Sequence, residues 1–354
     1  MSRIEPYGVG MAGDSLLRGI REYRSLADAR SAAAGQLDRG RQPCLFDRID
    51  WLESLHRCCM AGQMPRILHA WEGDNAAWLF LATGHGRNVT AIANWYSFAF
   101  RPIFGGSPDE ATKARLLAMI ARALLKDHAQ VDLYPVRADD GCAAALLGAF
   151  RSAGWFAVAR PMGHNHHLDL NGRDFATWWS ARPRALQNIV RRKGKGSGLE
   201  FEIHDRLSDA LWQDYVAIYD QSWKAGEPDY SFLRALAERE SDAGTLRLGF
   251  ARHEGRAVAT QLWTVENGIA LIHKLAHLRE ADAKSPGSLL SHAMFRAAID
   301  GDRVQSIDYG TGDNAYKAQW MEGRRPLLRV DCFNPRCASA WLPAARTALS
   351  WLAG

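Results

Sequence analysis

The stretch Val304-Gln-Ser-Ile-Asp308-Tyr309-Gly310-Thr-Gly312-Asp313-Asn-Ala-Tyr316-Lys317-Ala-Gln-Trp320 reads as a short buried strand, a glycine turn and a helix opened by Asp313. It gathers an acid, a phenol and an amine where a strand hands over to a helix, which is where α/β scaffolds usually present chemistry. Just upstream, Lys284-Ser285-Pro286-Gly287-Ser288-Leu289 falls between a predicted strand over 269–276 and a predicted helix over 288–299. Unpaired N–H groups at such a helix start, with a glycine allowing close approach, suit a pyrophosphate. The same residues also suit a plain Pro-Gly turn with an N-capped helix.

Working outward, a predicted helix over 229–240 precedes strands over 246–251 and 256–265, which are joined by Glu254-Gly255. Upstream of these, the pattern predicts a helix over 174–193 ended by glycines, a strand over 199–203 and a helix over 208–223. The first part of the chain predicts strands over 77–82 and 88–97, a helix over 109–127 with one apolar stripe, a strand over 131–136, a helix over 141–153, and strands over 155–160 and 164–170. Helical spacing over 14–33 predicts a further helix at the start. Strand, turn, strand, glycine loop, helix, strand thus occurs twice, near 77–136 and near 246–309, without residue-level identity. The expected division is a helical extension over 1–40, one domain over 41–170 and a second, donor-binding domain over 171–354.

A chain of 354 residues can build two cores, and 47% hydrophobic with 23% charged residues excludes disorder on a large scale. The net charge of +5 is too small and scattered to argue for nucleic acid. None of the six cysteines forms a C-x-x-C pair, so free, mostly buried thiols are expected. With neither an apolar leader nor a run of ~18 apolar residues, the expected compartment is the cytoplasm and no membrane span is expected. His164-Asn-His166-His167 would place two imidazoles on one strand face, but no third ligand is close in sequence, so no metal is expected. Gly310-Thr-Gly312 lacks the third glycine and the distal acid of a dinucleotide loop.

Phe46 and Trp51 near the start, the basic run over 182–193, Gln221-Ser222-Trp223-Lys224, Ser285-Pro286-Gly287 and the 308–317 stretch together resemble the GCN5-related N-acetyltransferase (GNAT) superfamily. Within it they resemble the tandem-domain branch of FemAB-like and CelD-like acyltransferases, over roughly residues 44–335. The resemblance implies an α+β fold of two GNAT-like domains, each a mixed, mainly antiparallel sheet flanked by helices. It implies an acyl-coenzyme A or acyl carrier protein thioester as co-substrate, with no permanently bound cofactor. Transfer would go to a primary amine on a peptide, amino acid, amino sugar or small molecule, such as a peptide or saccharide precursor.

The resemblance also implies a donor site from Leu275, Ala276, Lys284, Ser285, Gly287, Ser288 and Leu289. Lys284 and Gly287 match the family's pyrophosphate loop in kind, whereas Leu289 stands where the family has a small residue. Asp308 is read either as the group that accepts the amine's proton or as a strand-end carboxylate bound to backbone N–H groups. Tyr316 is read as the acid that protonates the leaving thiolate or as core packing with Trp320, and Lys317 as an oxyanion or phosphate partner or a solvated lysine. His273 can be a base or a core histidine; alternation puts it on the face opposite Lys274. Tyr219, Trp223 and Tyr309 are candidate acceptor-side walls. The basic run over 182–195 can hold the 3′-phosphate of coenzyme A or an acidic carrier protein, or simply cap a helix end. The rival readings are an aminoacyl-tRNA donor, as in FemX-like enzymes, and a non-catalytic GNAT pair that binds partners in polysaccharide or peptide assembly.

Overall fold

The computed structural model describes residues 18–222, 224 and 226–352; Trp223 and the part of the predicted first helix before residue 18 lie outside them. The strands are β1 (Arg18–Tyr23), β2 (Pro65–Glu72), β3 (Asn75–Thr83), β4 (Asn88–Ala91), β5 (Ile103–Gly105), β6 (Gln130–Arg137), β7 (Phe156–Asp169), β8 (Leu199–His204), β9 (Leu246–His253), β10 (Arg256–Glu266), β11 (Ile269–His277), β12 (Ser306–Thr311) and β13 (Gly323–Phe333). The helices are α1 (Leu26–Ala33), α2 (Ile49–Cys59), α3 (Glu110–Asp127), α4 (Cys142–Ser152), α5 (Phe175–Ser180), α6 (Arg184–Gly194), α7 (Asp209–Asp220), α8 (Tyr230–Asp242), α9 (Pro286–Arg296), α10 (Ala315–Trp320) and α11 (Ala338–Leu352).

All strands join one mixed, mostly antiparallel sheet in the order β1-β2-β3-β4-β6-β13-β7-β12-β11-β10-β9-β8, with β5 beside β3. The pairing pattern repeats. β3 and β4 are antiparallel and β4 and β6 parallel across α3; β10 and β11 are antiparallel and β11 and β12 parallel across α9. A parallel pair needs a crossover, and the two glycine-opened helices supply it. Late in the chain, β13 returns to lie between β6 and β7, and β7 in turn pairs with β12. The two repeats therefore share a continuous sheet, and the last strand of the chain is central to the first repeat.

Several expectations are corrected here. The helix over 14–33 is an edge strand, β1, followed by α1, which begins at its N-cap Ser25. An edge strand buries little, so Ile20 and Tyr23 mimic helical spacing while Arg18 to Tyr23 pair with β2 in unbroken register. The helix over 174–193 splits into α5 and α6 because Pro183 sits between them and disfavours helical backbone before it. The two strands over 155–170 are the single β7. The helix after β12 is capped by Asn314, whose side chain accepts from the Lys317 N–H; Asp313 instead reaches His166 and Arg324.

The larger core lies between the sheet and α1, α2, α7, α8 and α9, and it runs without a break from Trp78 and Phe80 to Phe250 and Phe295. A second core, under α3 and α4, includes Leu116, Ile120 and Leu124 as well as Val330 and Cys332 of β13. Residues ahead of β2 are fastened to the second repeat by charge as well as packing. Arg39 pairs with Glu240 at 2.7 Å and Glu266 at 3.0 Å, and buried Arg48 pairs with Glu266 at 2.6 Å. No helix among the described residues is long and apolar enough to cross a membrane.

Candidate active site

Pairing between β11 and β12 covers only Ile269–Leu271 against Ser306–Asp308. Past that point the strands separate, and successive residues of β12 face opposite ways. Tyr309 lines a cleft of about 650 Å³ with Leu275, Gly287, Ser288, Tyr316 and Lys317. Asp308 lines a second cavity, of about 340 Å³, with Phe46, Phe98, Asn165 and Leu271. The two spaces thus flank β12, one on the α9 side and one between the two repeats, at the point where β11 parts from it.

Three sequence features build the first cleft. Ser285 caps α9 in the left-handed region at φ 54°, and Pro286 opens the helix where no N–H is required. A Cβ at Gly287 would lie 3.1 Å from the His277 ring, so the glycine lets the first turn of α9 sit against β11 without displacing that ring. The N–H groups of Gly287 and Ser288 fall in that first turn, where the helix offers them no carbonyl. Tyr316, from α10, places its hydroxyl 2.9 Å from Ser291 Oγ and 3.4 Å from the Gly287 carbonyl.

Behind that hydroxyl runs a buried chain. Trp263 Nε1 donates to Gln261 Oε1 at 2.9 Å, and Gln261 Nε2 donates to Ser291 Oγ at 2.7 Å. Indole N–H can only donate, so it fixes the Gln261 amide and directs its NH₂ to Ser291. The serine proton is then free to point at the Tyr316 oxygen, and the phenolic proton goes to the Gly287 carbonyl at the edge of the cleft. Burial pushes the Tyr316 phenol up, and the Ser291 and Ser288 hydroxyls pull it back.

Asp308 is held by the Gly310 N–H at 2.8 Å and by Asn165 Nδ2 at 2.9 Å, with Arg325 at 3.6 Å. Burial pushes its carboxyl upward; the Gly310 N–H, Arg325, Arg137 and Asn165 oppose that. Gly310 makes the turn at φ 67°, and a Cβ there would lie 2.6 Å from the Phe98 ring.

The other sequence candidates fall in varied places. Lys317 Nζ donates to the carbonyls of Tyr309, Gly310 and Thr311 at 2.9, 3.3 and 2.6 Å, so its three N–H bonds staple the end of β12. Burial brings its ammonium down to about 8. His273 lines neither space: Nε2 meets Thr264 Oγ1 at 2.9 Å, the ring packs against Phe98 and Trp51, and burial drives it down to about 3. A β-bulge between Leu262 and Trp263 pairs Lys274 with Leu262 and leaves His273 beside Thr264. His273 and Lys274 are therefore on one face, not on opposite faces. Tyr219 is buried and bonds the Leu275 carbonyl at 3.3 Å, Ala276 is core, and Leu289 packs inward. Lys284 turns away from the cleft to the Ser197 carbonyl at 3.1 Å.

Other residues join the site that sequence reasoning did not select. Lys224 Nζ reaches the Leu275 carbonyl at 2.6 Å, and burial with Lys274 and Lys317 nearby brings it down to about 8. Its loop is anchored by Glu227, which bonds Tyr96 and accepts from Lys274 at 2.6 Å. His277 Nε2 lies 2.8 Å from Asp282, and both line the cleft. Gln261 and Ser291 carry no signal as single polar residues in a largely apolar strand and helix, and Asn165 is hidden within the histidine-rich run over 164–167, where only the imidazoles draw a functional reading. His164 and His166 both approach Asp313, at 3.9 and 3.0 Å, and no group of three or more His, Cys, Asp or Glu among the described residues is placed to hold a metal.

Residues 184–318 match the family model of an acetyltransferase (GNAT) domain. That segment is thus similar to a GNAT acetyltransferase domain, and the fold of the chain is that of tandem GNAT structures. The structure of FemX superposes with a TM-score of 0.60 at 10% identity, over 89% of this chain and 98% of that one. The C-terminal domain of a putative lysylphosphatidylglycerol synthetase from Agrobacterium fabrum gives 0.57 at 17% identity, over 92% and 97%. A tandem GNAT protein from the clavulanic acid pathway gives 0.51 at 15% identity, over 88% and 98%. No curated protein matches the sequence. In this GNAT frame, the matched residues include α9, β11, β12 and Tyr316, and so the whole wall of the larger cleft from Lys224 to Lys317.

Proposed function

We propose that the protein is a cytoplasmic N-acyltransferase that moves an acyl group from a coenzyme A or acyl carrier protein thioester to a primary amine, with the chain divided functionally into 41–170 and a donor-binding 171–354. The observation that carries this reading is the placement of Tyr316 of α10 at the first turn of α9, with Asp308 of β12 facing the other space. The pyrophosphate would lie on the Gly287 and Ser288 N–H groups. The pantetheine arm would run along Leu275, where β11 leaves β12. The exposed Arg191, Arg192, Lys193 and Lys195 of α6 and its end lie on a helix packed against α9, suited to a 3′-phosphate or an acidic carrier protein.

Aminolysis of a thioester asks for a neutral amine, a held carbonyl and a proton for the departing thiolate. Asp308 takes a proton from the acceptor ammonium. The freed nitrogen attacks the carbonyl carbon through the gap where β11 leaves β12, the C–S bond breaks, and the thiolate takes the Tyr316 proton. The second proton the nitrogen must shed passes through solvent and restores the phenol, and Asp308 returns its own proton to solvent. Thiol release from a panel of acyl-coenzyme A donors with mixed primary amines tests the reading. Turnover that falls in both Asp308→Asn and Tyr316→Phe supports it; a chain that neither binds coenzyme A nor releases thiol from any donor refutes it.

One observation favours an aminoacyl-tRNA donor instead. Lys284 is bound to Ser197 and Leu289 is buried, so the loop departs from a pyrophosphate cradle at two of its positions. Loss of activity on ribonuclease treatment would select that donor.

A further inference from the structure

The 340 Å³ cavity has a chemistry of its own. Leu45, Phe46, Phe98 and Leu271 make apolar walls, and Asp308 and Asn165 supply polar groups between them. Asn165 is 1% exposed. Its Nδ2 donates to Asp308, which fixes the amide, because turning it over would set two acceptor oxygens against each other. Asn165 Oδ1 is then a buried acceptor with no partner. Leaving such an atom unpaired is unfavourable, so it calls for an N–H or O–H from whatever fills the cavity.

The charges around the cavity are specific as well. Arg137 and Arg325 lie near Asp308 and are shared with Asp139 and Asp140, and Lys317, whose N–H groups are all given to carbonyls, also acts on Asp308. Three cations thus face three carboxylates, and each cation is already engaged. Elsewhere on the wall the charges are already matched: Arg101 with Asp47, Glu240 with Arg39, and Glu266 with Arg39 and Arg48. The cavity has no spare cation for a carboxylate or phosphate, and the polar groups it offers an occupant, Asn165 Oδ1 and Asp308, are acceptors.

We infer that this cavity is the acceptor subsite, and that the acceptor is a small primary amine with a single ammonium on an uncharged, largely apolar body, such as an aralkylamine. The inference rests on the acyl-transfer reading above and narrows its acceptor. The ammonium donates to Asp308 and to Asn165 Oδ1. One proton passes to the Asp308 carboxylate, the C–N bond forms as the C–S bond breaks, the thiolate leaves with the Tyr316 proton, and the second N–H proton shed by the nitrogen returns through solvent to the Tyr316 oxygen, giving an amide and a free thiol. Asn165 is a positioning residue contributed by the first repeat to chemistry done by the second.

Calorimetric titration of the full chain with phenethylamine and with phenylalanine, without acyl donor, tests this. Phenethylamine should bind at least tenfold more tightly than phenylalanine. Asn165→Leu should weaken phenethylamine at least tenfold while leaving coenzyme A binding unchanged. Ile269→Arg, at an exposed position on the cavity wall, should do the same and serves if Asn165→Leu fails to fold. Phenylalanine binding as well as phenethylamine, or amine binding that ignores the variants, overturns the inference. Amine binding without turnover of any thioester would instead refute the acyl-transfer reading and leave the cavity's ligand class standing.

Discussion

Ser291 Oγ lies 2.9 Å from the Tyr316 hydroxyl and is itself held by Gln261, so a side chain on α9 aims a proton that belongs to α10. The arrangement makes the phenol a donor with a fixed direction. Tyr316→Phe is expected to lower kcat for thiol release by about 10²-fold, the low end for a general acid, because a thiolate leaves more readily than an alkoxide. KM for the acyl donor should hardly move. Ser291→Ala removes a hydrogen bond that holds the phenol's pKa down, so the alkaline limb of the rate profile should shift to higher pH. Steady-state kinetics across pH check both, and a limb that stays in place would remove Tyr316 from the acid's role.

Asp308→Asn should separate activity from stability. Burial raises the carboxyl's pKa in the folded chain, so the ionised form is less at ease there than in the unfolded chain. The resulting destabilisation is absent below the unfolded value, grows as pH rises, and is complete above the folded value. Asp308→Asn is therefore expected to raise the melting temperature at pH 7 and to change it little near pH 3. Thiol release should fall by about 10²-fold, as when a general base is removed. A variant that melts lower at pH 7 than the parent would contradict the assigned cost.

Why part of this site could be read from the sequence, and part could not, comes down to range. The strand–loop–helix–strand run from β11 through α9 to β12 is local, so hydrophobic pattern and one Pro-Gly turn suffice to find it. Position within it depends on distant partners. Lys317 reads as a solvated lysine until β12 ends beneath it, and Asp313 reads as a cap until β7 brings His166 within 3.0 Å. The bulge that turns His273 into the core arises from pairing with β10 and leaves no trace in alternation. Asn165 acquires meaning only because β7 crosses to the second repeat.

Lys224 should be unusually nucleophilic. Burial brings it down to about 8, so at pH 8 roughly half of it is neutral. An ordinary lysine is about 0.3% neutral there. Brief treatment with acetic anhydride at pH 8, followed by peptide mapping, is expected to modify Lys224 ahead of exposed lysines such as Lys193 and Lys195. Lys317, whose three N–H groups are all given to carbonyls, should react slowly. Saturating coenzyme A should protect Lys224. Modification of Lys224 at the rate of the exposed lysines, with or without ligand, would speak against its lowered basicity.

β13 offers a test of how the repeats depend on each other. Its residues pair with β6 on one side and β7 on the other, and Val330 and Cys332 are fully buried beneath α3 and α4. Removing 323–333 would leave two central strands facing a gap and strip the second core of part of its floor. Ion pairs follow the same route: Arg160 and Arg329 reach Asp331 at 2.6 and 2.7 Å, and Arg329 reaches Asp132 at 2.8 Å. Val330→Asp puts an unpaired carboxylate into this floor, and burial of such a group is among the few causes of losses beyond about 4 kcal/mol. The first repeat is expected to lose its fold, read as collapse of amide exchange protection in β3, β4 and β6. Since β7 carries Asn165 to Asp308, phenethylamine binding should vanish with it. Coenzyme A binding should fall less, because the wall of its cleft comes wholly from 224–317. Equal loss of both ligands would show that the second repeat cannot hold its donor cleft without the first.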